Sequence, residues 1–215
     1  MNKHTGSPGD HEALFVASHL TYSRASMQVI DDIGFTLSAG QLLEVVGENG
    51  SGKTTLLRIA CGFIEPDAGE IRWRGRNIHS YINEYLHDVT YIGHLNGIKA
   101  DLTPFENLAV DYALSSRPAD VPLADIIDNF GLASCKDVPV RKLSSGQRRR
   151  VALARLRVSG ARLWLLDEPY ASLDEGGRRL ISDLLREHLL SGGMAIMASH
   201  DFIPMNDVSI TRISL

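Results

Sequence analysis

The sequence predicts an α/β fold in which a phosphate-binding loop joins a buried strand to a helix, and a helical subdomain interrupts the core. Three observations predict it. The apolar run Leu42 to Val46 leads into Gly47-Glu48-Asn49-Gly50-Ser51-Gly52-Lys53-Thr54-Thr55 and then Leu56-Leu57-Arg58-Ile59-Ala60, the order strand, glycine-rich loop, helix. A second apolar strand, Leu163-Trp164-Leu165-Leu166, ends in the carboxylate pair Asp167-Glu168. Between the two, helix signals replace strand signals from about residue 94 to 157, which leaves 13–93 and 158–215 as the α/β core.

The remaining elements follow in order. A first strand is expected near Leu14 to His19, and alternating apolar residues at Val29, Ile33, Phe35 and Leu37 suggest a second. The helix over 53–61 stops at Gly62. Pro66-Asp67-Ala68-Gly69 makes a turn before a strand over Glu70 to Arg74, and Val89 to Gly93 makes another. Thr103-Pro104-Phe105-Glu106 supplies an N-cap, a proline at the first helical position and a glutamate at the third, the pattern of a capping box. A further helix runs over Leu123 to Phe130 and ends at Gly131. Strand signals return at Arg162 to Leu166. Leu180, Ile181, Leu184, Leu185 and Leu189 then mark the buried face of a helix, the strand Met194 to Ser199 follows, and a short tail closes the chain.

Composition bounds the function. Of 215 residues 44% are hydrophobic, enough for a buried core, and the formal net charge of −4 argues against a nucleic-acid binder. Cys61 and Cys135 lack metal-ligand spacing and read as small buried thiols. Residues 1–12 are polar, without the apolar core of a signal peptide, and read as a disordered tail. No window approaches the roughly 18 apolar residues of a membrane span, so the chain is expected to be soluble by itself.

The loop chemistry points to a nucleoside triphosphate. Glycines let consecutive N–H groups face an anion closely, and the helix that starts at the loop adds its positive dipole end. Lys53 is placed for the β- and γ-phosphates, Thr54 for Mg²⁺ and Thr55 for a hydrogen bond near the α-phosphate. Asp167 is placed to hold Mg²⁺ opposite Thr54, with Glu168 free to take a proton from the attacking water. A solvated carboxylate pair before Pro169 is the competing reading. Farther upstream, Leu143-Ser144-Ser145-Gly146-Gln147 opens another helix. Ser144 is its N-cap, and the N–H groups of Ser145 to Gln147 form a second anion site. The arginines 148–150 spread around that helix and read as a solvated face.

Leu-Ser-Ser-Gly-Gln, lying between the phosphate loop and the Asp167-Glu168 strand, resembles the signature sequence of ATP-binding cassette (ABC) ATPases, with Ser145 where glycine is common. The resemblance covers the chain from about residue 14. It implies a P-loop NTPase with an ABC-type core sheet and an inserted helical subdomain, with ATP and Mg²⁺ as cofactors. It places Tyr22 against the adenine, although core packing competes for that tyrosine. It makes Ala171-Ser172-Leu173-Asp174 a loop that crosses to the dimer partner and His200 a switch near the γ-phosphate. Two copies meet head to tail, so that Ser144 to Gln147 of one close on the ATP held by the other. One position departs: the usual glutamine after Tyr91-Ile92-Gly93 is His94, a candidate coupling residue.

The stretch 91–99, the run 146–156 and the terminus Arg212-Ile213-Ser214-Leu215 are similar to the ATP-binding subunits of bacterial cytochrome c maturation systems. That similarity implies a peripheral protein on the cytoplasmic face of the inner membrane, docked through 94–107 on integral membrane subunits that handle haem, with no nucleic acid. Alternatives are the ATPase subunit of a lipid or peptide exporter, an ABC ATPase of DNA repair or translation, or a non-enzymatic docking subunit.

Overall fold

The computed structural model describes residues 13–115, 120–199, 205 and 207–215. The expected tail 1–12 and the expected switch His200 lie outside them.

Two sheets form the core. Strands β1 (Phe15–Arg24) and β2 (Met27–Leu37) make a hairpin turned at Ala25 and Ser26, whose φ values of 50° and 64° match the positive-φ turns that follow strand twist. With β4 (Ala68–Trp73) and β5 (Arg76–Asn77) they build a four-stranded antiparallel sheet in the order β2-β1-β4-β5. The second sheet is parallel, in the order β6-β7-β8-β3-β9. It comprises β3 (Gln41–Val46), β6 (Val89–Ile92), β7 (Leu163–Asp167), β8 (Met194–Ala198) and β9 (Ser209–Ser214).

The central strands read Leu-Leu-Glu-Val-Val, Leu-Trp-Leu-Leu-Asp and Met-Ala-Ile-Met-Ala because both of their faces are covered. Leu43, Val45, Leu163, Leu165, Met194 and Ile196 pack with the antiparallel sheet and with α1 (Lys53–Ala60). Leu42, Trp164, Leu166, Ala195 and Met197 belong to a second cluster with α3 (Pro104–Leu114), α4 (Leu123–Asn129), α5 (Ser145–Ser159) and α6 (Glu175–Leu190). The helices of the expected insertion therefore share one apolar core with a face of the sheet. The box at Thr103 is present with both of its hydrogen bonds, and Gly62 stands just beyond the end of α1 with φ 78°.

Two segments differ from expectation. The closing residues are not a tail but β9, paired in parallel with β3. Its residues are mostly exposed and polar, so no apolar run announces it. Glu44, buried in β3, is neutralised across that pairing by Arg212, whose Nε and Nη2 donate to its Oε2 at 2.7 and 2.6 Å. A short helix, α2 (Ile82–His87), also fills the connection between β5 and β6. Cys61 and Cys135 are buried, free thiols, and burial pushes Cys61 up to about 12.

Candidate active site

The loop after β3 takes its shape from glycine. Gly47, Gly50 and Gly52 have φ of 152°, 87° and 108°, a region L side chains rarely adopt. A Cβ on Gly52 would also stand 2.8 Å from the Val29 carbonyl oxygen, so β2 presses directly on the loop. Helix α1 begins at Lys53 without a side-chain cap. Its first N–H groups thus remain outside the helix ladder and available to an anion. Lys53 is buried, and its Nζ donates to the Gly47 and Glu48 carbonyls at 2.8 Å each. The Ser51 hydroxyl is buried with no partner among the described residues, a polar atom whose need a phosphate oxygen would meet. Thr54 Oγ1 donates to Asp167 Oδ2 at 2.8 Å, joining residues 113 apart in sequence at the C-terminal ends of two parallel strands. A hydroxyl and a carboxylate are the hard oxygen donors Mg²⁺ prefers, so the side chains present fit a Mg²⁺–triphosphate.

Tyr22 is half-buried in β1 and pairs with Ile30, whose Cδ1 lies 3.1 Å from where a Gly52 Cβ would stand. The tyrosine is therefore in the sheet that abuts the loop. His94 is exposed just past β6, beside the end of β7 in the sheet.

Glu168 leaves β7 with φ 48°. A left-handed backbone on a residue with a Cβ costs roughly 1–2 kcal/mol and persists only where its surroundings hold it. Here the Glu168 N–H donates to the Ala198 carbonyl at 2.8 Å, and the Glu168 carbonyl accepts from Arg149 Nη2 at 2.7 Å. Arg149 does more. Its Nη2 also donates to the Asp167 carbonyl at 3.0 Å, its Nη1 to the Gly93 carbonyl at 2.8 Å and to Asn96 Oδ1 at 3.2 Å, and its Nε to the Pro169 carbonyl at 3.4 Å. Burial lowers the Arg149 pKa, and the Asp167 and Glu168 carboxylates oppose that effect.

The expected solvated face at 148–150 is thereby corrected at one position, since Arg149 is 3% exposed, whereas the pair of Arg150 with Asp174 at 2.6 Å accords with a surface arginine held in a salt bridge. Periodicity gave little signal. Arg149 precedes the buried Ala152, Leu153 and Leu156 by three, four and seven residues, but Val151, Ala154 and Val158 are buried as well, so α5 is covered on several sides.

At the other helix start, Ser144 Oγ accepts from the Gln147 N–H at 3.1 Å and Gln147 Oε1 accepts from the Ser144 N–H at 2.9 Å. The second expected anion site is therefore narrower than Ser145 to Gln147. The cap takes the Gln147 N–H, and those of Ser145 and Gly146 stay outside the ladder. Ser144, Gly146, Gln147, Ser172 and Asp174 line one cleft of about 430 Å³, to which no residue of the 47–55 loop contributes. Asp174 caps α6, and the Gly177 N–H together with Arg150 holds its carboxyl below the ordinary value.

Residues 30–171 match the family described as ABC transporter. The chain is 44% identical over 91% of its length, and 96% of the relative's, to the cytochrome c biogenesis ATP-binding export protein CcmA of Nitrosospira multiformis. It is 43% identical to the protein of the same name from Nitrosomonas europaea, over 98% of this chain and 99% of that one. Among solved structures it resembles an ATP-binding subunit of an ABC transporter (TM-score 0.78, 22% identity, covering 87% of this chain and 79% of that one). It also resembles a dimeric ATP-binding cassette in a post-hydrolysis state with ADP and Pi (TM-score 0.77, 20% identity, covering 87% and 88%). At these identities the structures speak for the fold.

Proposed function

The chain belongs to the ABC transporter family, and we propose that it is an ATP-hydrolysing subunit that drives haem export or release for cytochrome c maturation. The observation that carries the enzymatic part is the Thr54–Asp167 hydrogen bond, which draws the phosphate loop and the carboxylate strand into one site with Glu168 next in the chain.

In this reading the adenine stacks on Tyr22, the 47–55 backbone N–H groups bind phosphate oxygens, and Lys53 leaves the loop carbonyls to offset the charge of the γ-phosphate. Thr54 and Asp167 would hold Mg²⁺, which supplies charge neutralisation at the phosphates when bound. Glu168 accepts a proton from the attacking water as its oxygen bonds to the γ-phosphorus. The bond from that phosphorus to the β–γ bridging oxygen breaks, and ADP and phosphate leave. Ser145 and Gly146 of a second copy close the site by presenting their N–H groups, with His200 as the switch and Asp174 in the crossing loop. Positioning and electrostatics carry the step.

No helix among the described residues is long and apolar enough to cross a membrane. The proposed partners are integral membrane subunits at the cytoplasmic face of the bacterial inner membrane, docked around 94–107. Leu95 and Phe105 within that stretch are exposed, which suits an apolar contact. His94, adjoining this surface, would relay the state of the contact to the site.

The test has two parts. Glu168→Gln should bind ATP and accumulate as a dimer without turning over, and wild-type turnover would remove Glu168 as the base. Cells lacking the gene should lose covalent haem on c-type cytochromes while keeping b-type cytochromes, and a Lys53→Ala copy should not restore it. Normal c-type haem staining in the deletion strain would leave the ATPase without this role.

A further inference from the structure

The carbonyls of Asp167, Glu168 and Pro169 follow one another at and just past the end of β7, whose last pair is Asp167 with Ala198. The Gly93 carbonyl likewise comes just past the end of β6. One guanidinium, inserted from α5, reaches all four and the Asn96 amide as well. That accounts for every N–H an arginine has. Lysine has the charge but not the planar fork, and glutamine has too few donors.

We propose that Arg149 is a positioning residue for Glu168: its guanidinium holds the 167–169 main chain in the left-handed turn that aims the Glu168 carboxylate, and ties that turn to the 93–96 segment. The inference rests on the reading of Glu168 as the base. Helix α5, whose first turn carries Ser144 to Gln147, is thereby linked through one side chain to the catalytic strand end and to the segment bearing His94. A shift of 93–96 reaches Glu168 through two hydrogen bonds of the same guanidinium, without passing through the sheet. The fork makes the phosphate loop a bystander, since no residue of 47–55 bonds to Arg149 among the described contacts.

The experiment measures kcat and KM for ATP, together with binding of a fluorescent ATP analogue, in the full chain carrying Arg149→Lys, Arg149→Gln or Arg149→Ala. Arg157→Gln, a half-buried position of the same helix whose guanidinium pairs with Glu187 and not with the 167–169 turn, serves as the control and Glu168→Gln as the reference. The expected result is nucleotide affinity within about threefold of wild type and kcat reduced about tenfold or more in all three variants. Millimolar guanidinium, but not sodium chloride, should restore part of the rate to Arg149→Ala. Asn96→Ala, which removes only the link to 93–96, should lower kcat about two- to fivefold. Wild-type kcat in folded Arg149→Lys and Arg149→Gln would overturn the proposal. So would loss of affinity and rate together with no guanidinium recovery, because that is the pattern of a merely structural residue. If Arg149→Ala fails to fold, Arg149→Lys decides, since it keeps the charge and the apolar stem. Rapid turnover by Glu168→Gln would instead defeat the reading of the base, whereas an inactive Glu168→Gln beside normal Arg149 variants defeats only the positioning role.

Discussion

The two helix starts proposed to face anions in this chain are built in opposite ways. Helix α1 opens on Gly52 with φ 108° and no side-chain cap, beneath a loop whose Ser51 hydroxyl has no partner among the described residues. Helix α5 opens on Ser144 with a complete capping box that spends one of its N–H groups on itself. The first end is incomplete without a ligand, and its charge, Lys53, is stored against its own carbonyls. The second is stable as it stands and offers two N–H groups at the rim of a cleft. The difference suits a primary site that grips the triphosphate and an auxiliary surface that closes on it only when a second copy arrives.

The largest expected effect tests the first end. Lys53→Ala should lower ATP turnover by about 100-fold or more, since it removes the one cation the loop holds among its described contacts. Steady-state phosphate release measures it, and turnover within tenfold of wild type would break the division of labour. Next comes the second end. Gly146→Asp sets a carboxylate where an anion should dock. It should reduce turnover about tenfold or more while leaving nucleotide affinity of the monomer within about threefold, as read by titration with a fluorescent analogue. Equal loss of affinity would place both ends at one site within a single chain.

Stability sets the pH at which the two ends can be compared. His188 stacks on Trp164 with centroids 3.7 Å apart, its Nε2 is 3.1 Å from the Met194 carbonyl, and burial lowers its pKa to about 4. The folded state thus disfavours protonation relative to the unfolded one, whose histidine titrates near 6.5. The stability this neutral ring contributes is present above about pH 6.5 and is lost as pH falls toward 4. Between pH 7 and 5 the loss should be about 2 kcal/mol by urea denaturation. His188→Phe, which keeps the stack but cannot titrate, should flatten that limb, and an unchanged slope would discard His188 as its source. The smallest effect is the cap itself. Ser144→Ala should cost about 1 kcal/mol and a few degrees in Tm, and no change would mean that the box is not formed in solution.

The phosphate loop, the carboxylate strand and the helix starts at Thr103 and Ser144 were legible because each is written in consecutive residues. Strand, glycines, lysine and hydroxyl follow one another, and a cap and its box partner lie three positions apart. Strand β9 was not legible: Ser-Ile-Thr-Arg-Ile-Ser has β-branched residues but no apolar run and a mostly exposed pattern, and only its pairing with β3 makes it a strand. The Gln147 N–H was expected to be free because the cap that takes it depends on a side-chain rotamer. Arg149 was misread because three consecutive arginines suggest solvent, while the packing of α5 on several sides buries one of them.

What the sequence determined by itself is the kind of chemistry this chain can do, since phosphate binding needs only a short run of backbone and two side chains in a fixed local order. It also determined the family, through motifs in the right succession. Tertiary structure alone decided that Thr54 meets Asp167 across the intervening strand β8, that Arg212 neutralises buried Glu44, and that Arg149 satisfies the main chain around Glu168. Each of these is a long-range pairing of polar groups. Their partners are chosen by sheet order and by which segments that order brings together, and no local pattern of residues records either.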